Sequence, residues 1–186
     1  MERTYAIALM VEEHKYIKRM LAVIRRLCYK VLQHDKVDYS DFFKAIDFIR
    51  NYADKHHHGK EEALLFEKMV EELGPTAEKL VKLGMYVEHD QGRLYTQELE
   101  AAVKRVMEGD DEARLDVIAN AISYTHLLNR HIDKEDGVVY VYAQKNLGSD
   151  TLNQLDQATL SLEEEAKAAN IQQRYIALLE QMEMKY

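Results

Sequence analysis

Residues 46–66 read IDFIRNYADKHHHGKEEALLF. Ile46, Ile49, Ala53, His57, Glu61, Leu64 and Leu65 recur at helical spacing, so apolar side chains, an imidazole and a carboxylate share one face of a helix. A buried carboxylate is costly unless it is paired or binds a metal. A helix built this way needs partners for His57 and Glu61 from elsewhere in the chain.

Outward from this stretch the chain reads as further helices. Asp38 or Ser40 suits the N-cap of the central helix, and residues 34–38 form a break before it. The first helix is predicted over Thr4–Gln33, where Ile7, Met10, Ile17, Leu21, Ile24, Cys28 and Val31 keep a helical period with His14 in register. Gly74 stops the central helix, and Pro75 suits the first turn of a third, which runs to about Glu108. Gly109-Asp110 breaks that helix, and Asp110 or Asp111 caps a fourth running to Asn146. After Leu147-Gly148-Ser149 a fifth helix fills the remainder. Its Leu155, Leu162, Ala169 and Ile176 repeat every seven residues, a stripe suited to packing outside the other helices or against another subunit, as in a homo-oligomer. The predicted fold is all-α: an up-down-up-down four-helix bundle over residues 1–148, with a C-terminal helix over 149–186 on the bundle or a partner.

Composition supports long helices and narrows function. Only seven glycines and one proline in 186 residues leave little for the turns of a many-stranded sheet. A net charge of −8 argues against a nucleic-acid partner. No apolar run reaches the roughly 18 to 20 residues of a membrane span, so no membrane partner is expected. The apolar patch near the N-terminus is interrupted by Glu12, Glu13 and His14 and does not read as a signal peptide. One cysteine, Cys28, fits a reducing cytoplasm and reads as a small buried apolar residue.

The histidines carry the chemistry. His14, His57, His89 and His131 fall on four different helices, and Glu61 and Glu135 each lie four residues after a histidine. Residues four apart project from one face, so each pair offers a nitrogen and an oxygen to one place. Heights match as well. His14 lies 22 positions before Lys36 and His57 lies 21 after it; His89 lies 20 before Gly109 and His131 lies 22 after it. In antiparallel neighbours the mismatches stay mostly within one helical turn, about 5 Å. His131, seven residues from Tyr124 and Val138, shares their inward face. Imidazole and carboxylate donors without thiolate suit iron or manganese, and zinc less specifically.

EEH at 12–14, HHGKEEALLF at 57–66, EHDQGR at 88–93 and RHIDKED at 130–136 together resemble the hemerythrin-like, or HHE cation-binding, family, over about residues 10–142. The resemblance implies a four-helix bundle with two irons, oxo- or hydroxo-bridged. His14, His57, His89 and His131 are then terminal ligands, and Glu61 and Glu135 are bridging carboxylates. Oxygen-carrying relatives have a fifth histidine four residues before the third-helix ligand; Met85 stands there, which leaves open positions unless another side chain or water fills in. The pattern implies a protein that binds or reduces O2, NO or peroxide, with an electron donor as a further partner. The alternative is an iron- or oxygen-sensing, or iron-handling, module that signals without turnover. A ferritin-like site is disfavoured, since no histidine has Glu three positions before it.

Other residues receive plainer readings. His58 is rotated about 100° from His57 and reads as a rim group or one behind the ligands, able to pair with Glu62. His56 reads as solvent-facing and His34 as surface. His126, on a different face from His131, reads as structural. Glu13 and Glu88, each next to a ligand histidine and so pointing away from it, read as solvated. Tyr86 and Tyr124 share faces with His89 and His131 and read as core, with a hydrogen bond to a ligand as the alternative.

Overall fold

The computed structural model describes residues 3–34 and 36–186, and among these the regular secondary structure is helical, with no strand. Asp35, within the predicted first break, lies outside the described residues. α1 (Tyr5–Leu32) buries Ile7, Met10, His14, Ile17, Leu21, Ile24, Cys28 and Val31 together, the face its period predicts. Asp156, from far along the chain, accepts from the Tyr5 and Ala6 backbone N–H groups at 3.2 and 2.8 Å. This meets two of the free donors of the helix start with a carboxylate at its positive end.

Asp38 Oδ1 accepts from the Ser40 N–H at 3.0 Å and opens α2 (Ser40–Phe48). The helix continues through π-helical turns over Ile49–His58 and Glu61–Phe66 into α3 (Glu67–Leu80). α3 is two pieces joined at Gly74, whose φ of 70° and ψ of −158° lie in a region open essentially to glycine alone. Pro75 then begins the next piece, as expected. No atom stands within 4 Å of a Cβ added at Gly74, so Gly74→Ala tests backbone strain alone. It is expected to destabilise by about 1–3 kcal/mol in urea melts.

A further π-helical segment, Val81–Met85, leads into α4 (Tyr86–Met107). Asp110 caps the short 3-10 turn Asp111–Ala113, its side chain accepting from the Ala113 N–H, and α5 (Arg114–Lys134) follows. After the π-helical Glu135–Val139 comes α6 (Tyr140–Asn146). Neighbours along α4 and α5 pair as Arg105 with Asp116, Gly92 with Tyr124 and His89 with His131. The wide turns change register: Val138, expected on the inward face with His131, is exposed, and Val139 is buried in its place.

The expected fifth helix is two. α7 (Ser149–Ala168) and α8 (Ile171–Lys185) meet at Asn170, which is left-handed with φ of 56°. The break interrupts the seven-residue stripe: Leu155 is buried, but Leu162 and Ala169 are exposed and Ile176 is only partly covered. The packed faces are instead Leu152, Leu155, Thr159 and Ala166, then Tyr175, Leu179 and Met182. α7 lies on α1 and the Glu61–Phe66 segment, while α8 lies on α1, α2 and Ile49–His58. Arg19 holds α8 through Glu183, with its Nε and Nη2 donating at 3.0 and 2.7 Å.

The apolar interior falls into two clusters. One holds Ile17, Ile24, Phe48, Tyr52, Leu99 and Leu128; the other holds Ile7, Met10, Phe66, Met69, Met85 and Tyr140. Between Met10 and Ile17 on α1 come Glu13 and His14, both buried. A polar layer divides the core at that level.

Candidate metal centre

The six side chains singled out by spacing are all buried in that layer. His14 Nε2 lies 3.4 Å from Glu135 Oε2, and His57 Nε2 lies 3.7 Å from Glu61 Oε2. His89 Nε2 lies 3.6 Å from Glu61 Oε2 and 3.9 Å from Glu135 Oε1; His131 Nε2 lies 3.0 Å from Glu135 Oε1. Donor atoms of His14, His57, Glu61 and Glu135 fall within 4.8 Å of one another, and so do those of His58, Glu61, His89 and His131. Glu61 belongs to both groups.

Each imidazole is held from behind. Nδ1 of His14 donates to Asp136 at 2.9 Å, that of His57 to Glu13 at 2.8 Å, and that of His58 to Asp54 at 3.3 Å. Nδ1 of His89 donates to Glu62 at 2.6 Å and that of His131 to Glu88 at 2.8 Å. A carboxylate on Nδ1–H fixes the tautomer, bares Nε2 as a lone pair and raises its basicity, the usual support of a metal-binding histidine.

The inner atoms lack such partners. His57 Nε2, Glu61 Oε2 and both Glu135 oxygens are buried with no hydrogen-bond partner among the described residues. His89 Nε2 and His131 Nε2 face each other at 3.0 Å, where two lone pairs repel unless a proton or cation lies between them. Burial and the nearness of Glu135 raise Glu61 well above the ordinary carboxylate range. Burial opposes charge on His131 as well, yet Glu135 and Glu88 lift it to about 9. Burial and the neighbouring His14 push His57 down to about 4. This donor set fits cations at its centre: imidazole nitrogens and carboxylate oxygens converge, already oriented, and four of the inward atoms are unsatisfied. Cys28 takes no part; it lies in the apolar core, its thiol pushed up to about 12 by burial.

Several supporting residues differ from their sequence readings. Glu13 and Glu88 are not solvated side chains: Glu13 is 1 % exposed, and each crosses to the histidine of another helix rather than to its neighbour in sequence. The signal was the Glu-His pair repeated at 13–14 and 88–89. His56 is half-buried rather than solvent-facing, its Nε2 3.1 Å from Glu13. His58 is buried and pairs with Asp54, while Glu62 serves His89. Tyr124 is buried in the core, and Tyr86 packs on Phe66. The tyrosine that reaches the centre is Tyr140, whose hydroxyl donates to Glu61 Oε1 at 2.5 Å. His34 and His126 are exposed.

A cavity of about 100 Å³ opens beside the layer, lined by His58, His89, Gly92, Arg93, Tyr124 and Leu128 among others. Arg93 closes its outer edge, donating to Asp54 and Glu62, the carboxylates behind His58 and His89.

Comparison with known proteins agrees with this geometry. The chain is 24% identical over 131 residues to uncharacterized proteins of Mycobacterium bovis and of two Mycobacterium tuberculosis strains, covering 70% of this chain and 50% of each relative. The chain thus spans about half the length of the curated relatives it matches. The family model described as hemerythrin HHE cation binding domain matches residues 5–143, a span that holds all five carboxylate-backed histidines and both central glutamates. This chain belongs to the hemerythrin HHE cation-binding domain family.

Proposed function

We propose that this protein binds two iron ions between His14, His57, Glu61, His89, His131 and Glu135, and uses them to bind or reduce a small ligand: O2, NO or peroxide. The reading places the centre in an up-down-up-down four-helix bundle over residues 1–148, with residues 149–186 as a separate C-terminal element, in a cytoplasmic protein that draws on an electron donor. No described helix is long and apolar enough to cross a membrane. The observation that carries the reading is the polarity of the histidines, each Nδ1 given to a carboxylate while bare nitrogen and oxygen atoms meet inside.

When bound, the irons supply electrons and Lewis acidity to the ligand. The chain's own part is to hold the donors, exclude bulk water and place one proton. Glu61 and Glu135 reach both halves of the layer, which suits carboxylates that bridge. The Phe66, Met69, Met85 and Leu65 side chains close one side against solvent. Tyr140 keeps its proton, because burial and then Glu61 raise its hydroxyl well above the ordinary phenol range, and that proton points at Glu61 Oε1.

Iron reconstitution tests the reading. Elemental analysis is expected to find two irons per chain, and exposure of the loaded protein to air is expected to oxidise them and bring up a near-ultraviolet charge-transfer absorption. His57→Ala and His131→Ala should each lose the absorption and at least half of the metal. A wild-type chain that takes up no iron under reducing, oxygen-free loading refutes it.

A second reading, an iron- or oxygen-sensing module that signals to a partner without turnover, is favoured by one contact. Glu163 of α7 accepts from Lys60, which also donates to Glu13, the carboxylate behind His57. An element outside the family match thus touches the support of the centre. Catalytic consumption of NO or hydrogen peroxide by the reduced, loaded protein separates the two readings.

A further inference from the structure

The loss of the histidine expected at position 85 looks, in sequence, like the loss of a donor. Met85 is indeed buried in the apolar cluster with Met10, Leu65 and Val81, and offers nothing to the polar layer. The position is compensated from another helix. We infer that His58 is a fifth imidazole donor, completing a set of three with His89 and His131 on one ion, while His14 and His57 serve the other. This rests on the metal-binding reading above and extends it.

Three observations carry the assignment. The His58 ring lies parallel to His89, centroids 3.8 Å apart and planes 7° apart, and it meets the His131 ring edge-on at 5.7 Å. A ring nitrogen of His58 lies within 4.8 Å of donor atoms on Glu61, His89 and His131. Its Nδ1 donates to Asp54, which leaves Nε2 as the bare nitrogen, the same arrangement found at His14, His57, His89 and His131.

The backbone explains how adjacent residues serve two ions. An α-helix turns roughly 100° per residue, which would swing His58 away from the layer. Residues Ile49–His58 are π-helical, and the wider i→i+5 turn rotates each residue by less. His57 therefore joins the His14 half, and His58 the His89 and His131 half. Arg93 unites the outer shell on this side, since its guanidinium binds both Asp54 and Glu62.

The test compares iron content and ⁵⁷Fe Mössbauer spectra of loaded wild type, His58→Phe, His58→Ala and Asp54→Asn. Phenylalanine keeps the ring stack and removes the nitrogen. Wild type should show two inequivalent irons. His58→Phe should weaken one iron by at least about tenfold and alter one doublet while leaving the other. Imidazole added to His58→Ala should restore the altered doublet, and Asp54→Asn should shift that same doublet with both irons retained. Wild-type iron content and an unchanged spectrum in His58→Phe overturn the inference and leave the two-iron reading standing. Failure of imidazole to act on folded His58→Ala, with Asp54→Asn unchanged, also overturns it. A wild type that binds no iron removes both.

Discussion

Glu61→Gln is expected to strip iron from both halves of the centre while leaving the metal-free chain as stable as its parent. Glu61 belongs to both donor groups, so the amide weakens both ions at once, whereas His14→Ala removes a donor from one. In the metal-free chain the change is mild. Burial and Glu135 already favour the protonated form of Glu61, and glutamine has the shape of that neutral acid. Its carbonyl can accept from Tyr140 as Glu61 Oε1 does, and its amide can donate to Glu135, whose oxygens have no hydrogen-bond partner among the described residues. The metal-loaded proteins diverge. A ligand at a thousandfold excess over its Kd adds about 4 kcal/mol of stability per site, and the variant forfeits this. Thermal melts with and without iron check the prediction. The parent should gain strongly on loading, the variant little, and the two metal-free curves should lie within about 1 kcal/mol of each other. Parental iron content in the variant, or a metal-free variant weakened by more than about 2 kcal/mol, contradicts it.

The convergence of His14, His57, Glu61, His89, His131 and Glu135 was legible because two independent regularities located them. Helical period set their facing, and matched distances from Gly109 and from the break before α2 set their height. What stayed hidden depends on departures from the regular α-helix. Tyr140 lies nine residues after His131, on the opposite side of an ideal helix. The π-helical Glu135–Val139 brings it round to Glu61, and the same turn exchanges Val138 for Val139 in the core. His58 was misplaced for the same reason, by assuming an α-helical rotation across Ile49–His58. The outer carboxylates escaped for a different one. Glu13, Glu62, Glu88 and Asp136 serve histidines of other helices, and no local spacing encodes a partner across the core. The division of the C-terminal segment turns on Asn170 alone, a residue that tolerates left-handed backbone but does not demand it.

Lys60 provides the sharpest test of how the fold supports the centre from outside. It is 3 % exposed, and its ammonium donates to Glu13 and to Glu163, with His56 Nε2 at 3.2 Å. Burial by itself would raise Glu13. Hydrogen bonds with His56 and His57, together with the charge of Lys60, hold it well below the usual carboxylate range. Lys60→Met keeps the apolar stem and deletes the charge, leaving Glu13 anionic and poorly compensated at 1 % exposure. Breaking a buried pair in this way costs about 3–5 kcal/mol, or a fall in Tm of roughly 6–20 °C for a chain of this size. Glu13→Gln added to Lys60→Met removes the stranded charge and should recover much of that loss, so the two changes are non-additive. Metal binding should not recover with stability. An amide on His57 Nδ1–H supports that ring less well than a carboxylate, and loss of such a partner lowers affinity about 10- to 100-fold. Urea melts and iron titrations of the two single variants and the double variant separate these effects. A Lys60→Met chain within about 1 kcal/mol of wild type, or a double variant that binds iron as tightly as the parent, would show that Glu13 does not need the ammonium, or that His57 does not need Glu13.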